Sequence, residues 1–410
     1  MTELKRTLGV SDAVVVGLGA MVGAGIFAAL APAARAAGGG LLAALALAGL
    51  VAYCNARSSA RLAARYPSSG GTYVYGRERL GPFWGYIAGW GFVVGKTASC
   101  AAMALTVGAY AWPGREHVVA VAAVVALTAA SYGGVRKSAR IARLIVAVVL
   151  AVLAAVVVAC LTSGAARAGR LGGPDLGAAV LLQGAGLLFF AFAGYARITT
   201  LGEEVRDPER TIPRAVPLAL GIAWCVYAAV GVAALSVLGA EGLAGSAAPL
   251  ADAVRAAGWP GLGPVVRVGA GLAALGSLLA LVLGVSRTVL AMARDGHLPR
   301  ALARVHPRRG GPHRAELAVG AVVAVLAATT DLRGAIAFSS FGVLAYYAIA
   351  NVSAWTLGSA VKDRAVAALG LSGCVLLACA LPLAPALTGA AVLALGALFY
   401  GVRGRFTARR

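Results

Sequence analysis

A glycine-rich stretch near the amino terminus has the composition of an anion-binding backbone. Gly17, Gly19, Gly23 and Gly25 lie within one apolar run, and each glycine weakens a helix by about 1 kcal/mol relative to alanine. A helix that breaks inside a membrane must line a cavity, and its free N–H groups and positive half-helix end can bind a carboxylate. Close glycine-mediated helix packing is the alternative interpretation.

A second stretch of this kind lies in the middle of the chain. It contains Gly184 and Gly186, followed by the aromatic segment FFAFAGY at residues 189–195. Interrupted helices at corresponding positions of two halves mark the substrate site of many transporters. Carbonyl groups freed there could accept hydrogen bonds from a substrate ammonium, and the aromatic rings could cover its side chain. Taken singly, each ring is more typical of core packing.

Two basic residues in or beside apolar runs are candidates for coupling or gating. Lys96 lies near the middle of the third run, where a charge costs about 2.5–3.5 kcal/mol and indicates function by default; the alternative is that it reaches the interface or caps a broken helix. Arg197 either pairs with the acidic residues 203–204 as an inner gate or anchors to lipid headgroups. That acidic pair is itself more typical of a structural cluster. The hydroxyl groups nearest to any sodium-like site belong to Ser277 and Ser286.

Long uncharged runs identify the elements that must position these residues. A helix needs about 20 apolar residues to cross the hydrocarbon core. The uncharged runs, one of them interrupted by Lys96, are residues 13–34, 36–56, 82–112, 118–135, 144–166, 176–196, 215–240, 268–286, 317–330, 334–361 and 365–402. The last run is too long for one helix, and Pro382 and Pro385 mark a turn within it. The sequence therefore predicts an all-α integral membrane protein with twelve transmembrane helices.

The distribution of basic residues predicts the orientation of these helices. When the loops are sorted alternately, 26 Lys and Arg residues fall on the side of both termini and six fall on the opposite side. Loops rich in Lys and Arg face the cytoplasm. We therefore expect a multi-pass protein of the cytoplasmic membrane with both termini inside the cell. The first run is too long for a cleavable signal, and we interpret it as the first membrane helix.

The composition excludes several classes of function. Hydrophobic residues make up 60% of the 410 residues and charged residues only 12%, which excludes a disordered chain and a typical soluble enzyme. The net charge is +21, but the basic residues lie between apolar runs, so the expected partner is anionic lipid and not nucleic acid. The cysteines and histidines have no metal-binding spacing, and no carboxylate lies deep within a run. We predict no enzymatic activity, no metal and no cofactor.

Four motifs give the chain a specific resemblance. They are GAGIF at residues 23–27, RYPSSGGTYVY at 65–75, GEEVRDPERTIP at 202–213 and AMARDGHLP at 291–299. Together they resemble the amino acid–polyamine–organocation (APC) permeases, in particular the cationic amino acid transporter branch. The resemblance implies a five-plus-five inverted repeat with broken helices one and six, plus two C-terminal helices. It also implies secondary transport of amino acids by alternating access.

The resemblance further implies boundaries and residue roles. The transporter core would occupy residues 1–362, with repeats at about 12–166 and 176–361, and residues 363–410 would form two further helices and a short cytoplasmic tail. The substrate carboxylate would be bound by Val22, Gly23, Ala24 and Gly25. Carbonyl groups for the substrate amine would come from Phe190, Ala191 and Ala193. The side-chain pocket would be lined or gated by Phe192 and Tyr195.

The chain departs from the family pattern in the fifth helix. Proton-coupled relatives carry a lysine there, whose amine occupies the place of a coupling cation. The matching residue here is Val149. Either coupling differs in this chain, or another group supplies the charge, in which case Lys96 is the candidate for coupling a proton.

Several functions stay open at this point. The sequence does not choose among symport, exchange and facilitated diffusion. Since no acidic group lies at pocket depth, a neutral or small apolar substrate fits at least as well as Arg or Lys. The alternatives are a polyamine or organic-cation antiporter, which should present a carboxylate in its pocket, and a membrane sensor or channel. A sensor should carry a signalling domain, and a channel should have a continuous polar lining.

Overall fold

The computed structural model of the chain is almost entirely α-helical. It describes residues 6, 8–23, 25–67, 70–132, 139–173, 177–306, 311–358 and 360–407. Among these residues the only extended pairing is a single parallel bridge between Leu8 and Val205. The prediction of an all-α protein is therefore confirmed for the described part of the chain.

The α-helices are numbered in chain order. They are α1 Val10–Met21, α2 Gly25–Ala37, α3 Leu41–Arg65, α4 Thr72–Leu80, α5 Pro82–Ala111, α6 Glu116–Tyr132, α7 Ala139–Leu161, α8 Ala178–Phe192, α9 Ala196–Thr199, α10 Pro208–Gly245, α11 Pro249–Ala256, α12 Leu262–Arg294, α13 His313–Thr329, α14 Leu332–Trp355, α15 Val361–Ala380 and α16 Leu383–Thr407. Short 3-10 segments are Gly38–Gly40, Ala168–Arg170, Ala193–Tyr195 and Arg300–Ala303.

The length and apolar character of the helices make this a membrane protein. Within the described ranges, nine helical stretches are long and apolar enough to cross a membrane. One of these stretches, Gly25–Arg65, holds both α2 and α3. Two further apolar helices, α1 and α6, are shorter. Large apolar side chains such as Val268 and Leu398 are exposed on the outer surface, which suits contact with lipid. The chain is thus a multi-pass membrane protein.

Helix boundaries extend beyond the uncharged runs at several points. α10 and α12 continue into charged turns, because hydropathy marks only the apolar part of a helix. α4 and α11 lie outside the apolar runs and were not predicted. The proline turn of the last run lies between α15 and α16, as predicted. At the start of α14, the Asp331 carboxylate accepts a hydrogen bond from the Gly334 N–H at 3.2 Å, which caps the helix.

Small residues hold α5 tightly against α14. A Cβ on Gly342 would come within 3.0 Å of the Gly95 Cα, so the two backbones are nearly in contact. One turn away, the Ser99 and Ser339 hydroxyl oxygens are 2.6 Å apart. Small residues allow membrane helices to approach this closely. The packing fixes the part of α5 that carries Lys96.

The first and sixth apolar runs are both interrupted, and the two interruptions touch. α1 ends at Met21 and α2 begins at Gly25, whereas α8 passes through a 3-10 turn into α9. The sixth run therefore changes helix type instead of unwinding into an extended gap. A Cβ on Gly194 in this turn would lie 2.6 Å from the Met21 nitrogen and would overlap the Ala20 carbonyl oxygen. Glycine is thus required where the two interruptions cross.

Replacement of Gly194 tests this contact. We expect Gly194→Ala to lower the melting temperature, because overpacking typically costs about 1–3 kcal/mol. Thermal unfolding of the detergent-solubilised protein measures the effect. The matched control is Gly271→Ala on α12, where an added Cβ meets nothing within 4 Å and should be neutral or stabilising. Equal melting temperatures of the two variants would contradict the assigned contact.

Candidate functional site

Two adjoining cavities lie beside the interrupted helices. The Lys96 cavity, of about 200 Å³, is lined by residues of α5, α8, α9 and α12 together with the 3-10 turn. The Val149 cavity, of about 460 Å³, lies between α1, α7 and α12. Both cavities are lined by Ala20, Arg197, Glu204, Ser277, Ala280, Gly284 and Arg287. A molecule in one cavity would therefore lie next to the other.

Lys96 is buried, and its ammonium group reaches the sixth run. The Lys96 Nζ donates to the Ala193 carbonyl oxygen at 3.2 Å, and the Tyr347 hydroxyl donates to the same oxygen at 3.4 Å. Among the ion pairs that the described residues form, none includes Lys96. The carbonyl predicted to receive a substrate ammonium is thus occupied by an ammonium group of the protein.

The predicted carboxylate site lies at the end of α1. Val22 and Gly23 line the Val149 cavity, and a Cβ on Gly23 would overlap the Ser277 hydroxyl oxygen. That hydroxyl donates to the Gly19 carbonyl at 3.2 Å. The following helix, α2, presents free N–H groups and a positive dipole end at its first turn. Ala24 lies outside the described residues.

Gly25, at the start of α2, allows this helix to pack closely against α8. A Cβ on this residue would lie 2.7 Å from the Cα of Ala191. Neither Gly25 nor Ala191 is among the residues lining the two cavities. A role of their backbone groups at the substrate stays a prediction.

Tyr227 on α10 ties the two interruptions together. Its hydroxyl oxygen lies 2.5 Å from the Met21 carbonyl oxygen and 3.0 Å from the Ala191 carbonyl oxygen. A tyrosine hydroxyl has one hydrogen, so the two acceptors share it or take it in turn. The Phe192 ring packs edge-on against Tyr227 at a centroid distance of 5.1 Å. Sequence reasoning missed Tyr227, because a lone tyrosine in an apolar run is indistinguishable from a core residue.

The predicted pocket residues divide between cavity wall and core. Phe190 and Ala193 line the Lys96 cavity. Phe192 and Tyr195 are fully buried and are not among the lining residues of either cavity, and Tyr195 stacks on Tyr347 at 5.0 Å. In this conformation both rings pack in the interior, and their role as gate or lining stays a prediction.

The two predicted hydroxyl residues also differ in position. Ser277 lines both cavities. Ser286 is buried and donates to the Val282 carbonyl of its own helix at 2.7 Å. Val149, at the position matched to the helix-five lysine, lies in the wall of the second cavity beside Val22 and Gly23. An apolar side chain therefore occupies the position at which the resemblance implies a lysine in proton-coupled members of the family.

Three charged residues line both cavities. Arg197, which is half-buried, donates to the Thr200 hydroxyl at 3.5 Å, and it shares the cavity walls with Arg287 and Glu204. Sequence reasoning assigns no role to Arg287, and it interprets Glu204 as part of a structural cluster more readily than as a gate partner of Arg197. Helical spacing was a usable signal for Arg287, because Ser277, Ala280, Gly284 and Arg287 follow one another on one face of α12 at intervals of three, four and three residues.

A polar cluster lies at the Tyr73 end of the Lys96 cavity. The Tyr73 hydroxyl donates to the Asp295 carboxylate, and the Arg77 guanidinium is 3.4 Å from the same carboxylate. Burial and the neighbouring Asp295 hold the pKa of Tyr73 well above its usual range, so the hydroxyl stays a donor. Burial lowers the pKa of His297, against the opposing effect of Asp295. The cluster links α4 to the segment that follows α12.

Comparison with known proteins decides the family. A family model described as amino acid permease matches residues 12–402. The chain belongs to the amino acid permease family. It is 69% identical over 410 residues to an uncharacterized transporter of Mycobacterium tuberculosis (strain ATCC 25618 / H37Rv), covering 99% of this chain and 93% of that protein. The resemblance to APC permeases is thereby confirmed, and the chain is a membrane transporter of this family.

More distant relatives carry names that specify a substrate class. The chain is 26% identical over 385 residues to a branched-chain amino acid permease of Bacillus subtilis (strain 168), with coverage of 88% of this chain and 83% of that protein. It is 29% identical over 382 residues to the chloroplastic cationic amino acid transporter 6 of Arabidopsis thaliana, with coverage of 85% and 65%. Amino acids are common to both names.

Removal of the Tyr227 hydroxyl tests its structural role in this permease. Tyr227→Phe leaves two buried carbonyl groups without this donor, and a buried unsatisfied polar group costs about 1–3 kcal/mol. We expect a lower melting temperature in detergent and reduced uptake in proteoliposomes. Tyr53→Phe is the matched control, because Tyr53 is exposed on α3. If both variants melt at the wild-type temperature, Tyr227 does not hold the interruptions together.

Proposed function

We propose that this permease is a secondary transporter that moves amino acids across the cytoplasmic membrane by alternating access. The observation that carries the proposal is the hydrogen bond from the Lys96 ammonium to the Ala193 carbonyl. A peptide carbonyl inside the bundle accepts a primary ammonium, which is the chemistry that an α-amino group requires. The amino acid permease family and the names of its relatives support the same substrate class.

The substrate's two charged ends suit two different parts of the site. Its amine would take the Ala193 carbonyl, assisted by carbonyls at Phe190 and Ala191. Its carboxylate would lie at the start of α2, near the backbone of residues 22–25, where a helix N-terminus favours an anion. The Phe190 ring already lines the Lys96 cavity, and Phe192 and Tyr195 would cover the side chain when the site closes.

The repeat architecture forms part of the proposal. Twelve spans would result if α1 with α2 and α8 with α9 each form one interrupted crossing, and α3, α5, α6, α7, α10 and α12 to α16 each form one. The two interrupted crossings would then be the first and sixth, as a five-plus-five inverted repeat requires. The core would occupy residues 1–362, with repeats at about 12–166 and 176–361, and residues 363–410 would add two helices.

Contacts between loops support an orientation with both termini in the cytoplasm. Ion pairs join segments that were predicted to lie on the terminal side: Arg57–Asp363 at 3.3 Å, Arg77–Asp295 at 3.4 Å and Arg143–Asp12 at 3.2 Å. On the opposite side, His117 lies 2.8 Å from the Ala327 carbonyl oxygen. Loops that meet in this way lie on one face, and the face with more basic residues is expected to be cytoplasmic.

Lys96 is proposed as the coupling or gating group. It donates to the Ala193 carbonyl, and a substrate amine would bind there only after the lysine side chain has moved. Val149 leaves the fifth helix without a cation, so a coupled proton would be carried by Lys96. Arg197 and Ser277, which line both cavities, would gate the inner opening, and Ser286 is a further candidate.

A polyamine or organic-cation antiporter is the second candidate function. It is favoured by one observation, the presence of the Glu204 carboxylate in both cavity walls. The same walls carry Arg197 and Arg287, and like charges disfavour an incoming polycation. Amino acid transport therefore fits these cavities better.

Reconstitution provides the test of the proposed function. The purified full-length protein in liposomes should exchange or accumulate at least one radiolabelled amino acid, with or without an imposed pH gradient. Protein-free liposomes are the control. Accumulation of polyamines instead of amino acids would support the second candidate, and uptake of neither class would contradict both.

Replacement of Lys96 tests its role in coupling. We expect Lys96→Met to change the substrate affinity about tenfold or to flatten the pH dependence of uptake, because the ammonium that competes for the Ala193 carbonyl is removed. Lys362→Met removes the same charge from an exposed turn of α15 and should leave both properties unchanged. Uptake by Lys96→Met with wild-type affinity and pH dependence would exclude coupling and gating by Lys96.

A further inference from the structure

The fixed charges of the Lys96 cavity are mostly positive. Its described lining residues include three cations, Lys96, Arg197 and Arg287, and one carboxylate, Glu204. The cavity follows α5 from Phe92 to Met103, about 16 Å at 1.5 Å per residue. A substrate that moves through this cavity therefore passes positively charged side chains over much of its path.

The three cations have no carboxylate at ion-pair distance in the described part of the chain. All the ion pairs found there join other residues. Lys96 donates to a carbonyl and Arg197 to a hydroxyl, and the one carboxylate, Glu204, offsets part of the charge of Arg197 and leaves the cavity with a net positive charge. A charge taken out of water is costly unless an opposite charge and hydrogen bonds compensate it. The cavity is thus electrostatically prepared for an anion.

Binding of the substrate amine increases the need for an anion at Lys96. This step rests on the proposed function, in which the amine takes the Ala193 carbonyl and displaces the Lys96 ammonium. Glu204 lies beyond α9, in the segment whose backbone bonds Leu8, whereas Lys96 contacts the turn that precedes α9. Among the described lining residues no other carboxylate is available to the displaced ammonium.

We infer that the transported amino acid has an acidic side chain, whose distal carboxylate binds the displaced Lys96 ammonium. Arg197 and Arg287, which line the same cavity, attract this anion, as like-signed charges lining a cleft do for a counter-ion. A lysine or arginine substrate would instead add a fourth positive charge to the three already present. Specificity therefore arises from repulsion of cations as well as from attraction of the acid.

Pairs of amino acids with the same shape, one acidic and one its amide, measure the effect of the distal carboxylate alone. Proteoliposomes with the wild-type protein are loaded in separate batches with aspartate, asparagine, glutamate, glutamine, leucine or lysine, and uptake of the same amino acid in radiolabelled form is measured. We expect at least one acid to exchange about tenfold better than its amide, because the two differ only in the distal carboxylate. Equal or better exchange of the amides, leucine or lysine would overturn the inference and leave the proposed function standing. Exchange of no amino acid at all would overturn both.

A variant series identifies Lys96 as the specificity residue. In Lys96→Met we expect the acid-to-amide ratio to fall to about unity while the amide still exchanges, and in Lys96→Arg we expect the preference for the acid to persist. Lys362→Met is the charge-matched control and should keep the wild-type ratio. An unchanged ratio in Lys96→Met would overturn the role of Lys96. If that variant does not fold, the comparison of acid with amide on the wild-type protein still decides the substrate class.

Discussion

Backbone N–H and C=O groups that a helix interruption leaves unpaired inside a membrane need other hydrogen-bond partners. This constraint determines the arrangement at the centre of the protein. The carbonyl groups around the two interruptions are satisfied by side chains from other helices. Tyr227 lies within hydrogen-bond distance of the Met21 and Ala191 carbonyls, and Lys96 and Tyr347 donate to Ala193. Side chains of α5, α10 and α14 therefore converge on one place. A substrate that binds there, as proposed above, would have to replace one of them.

Among these partners, Lys96 is the most readily exchanged. The tyrosines are rigid rings held by packing, as the stacked pair of Tyr195 and Tyr347 illustrates. A lysine side chain is flexible and carries a group of the same chemistry as a substrate amine. The close crossing at Gly194 leaves little space for a different arrangement of the backbone. The proposed exchange of the Lys96 ammonium for a substrate ammonium would thus require less rearrangement than displacement of a tyrosine.

The sequence was sufficient for the coarse architecture and for part of the site. Apolar runs and motifs predicted an all-α membrane permease, and Lys96 stood out because a charge is rare within such a run. Tyr227 could not be found in this way, and the choice between a gate and a structural cluster for Glu204 could not be made, since both depend on contacts between segments distant in the chain. The aromatic residues Phe192 and Tyr195 were assigned by resemblance, and only coordinates could reveal that they pack away from both cavities in this conformation.

The position of the buried cation distinguishes this permease from the proton-coupled pattern. The resemblance implies that proton-coupled members carry a lysine at the position of Val149, which here lies in a cavity wall with Val22 and Gly23 at the end of α1. Here Val149 is apolar, and the buried ammonium lies on α5, at the Ala193 carbonyl that is proposed for the substrate amine. Under that proposal the two cations would compete for one acceptor. Lys96 leaves this carbonyl with a hydrogen-bond partner in the structure, and binding of a substrate amine there would move a charge within the protein.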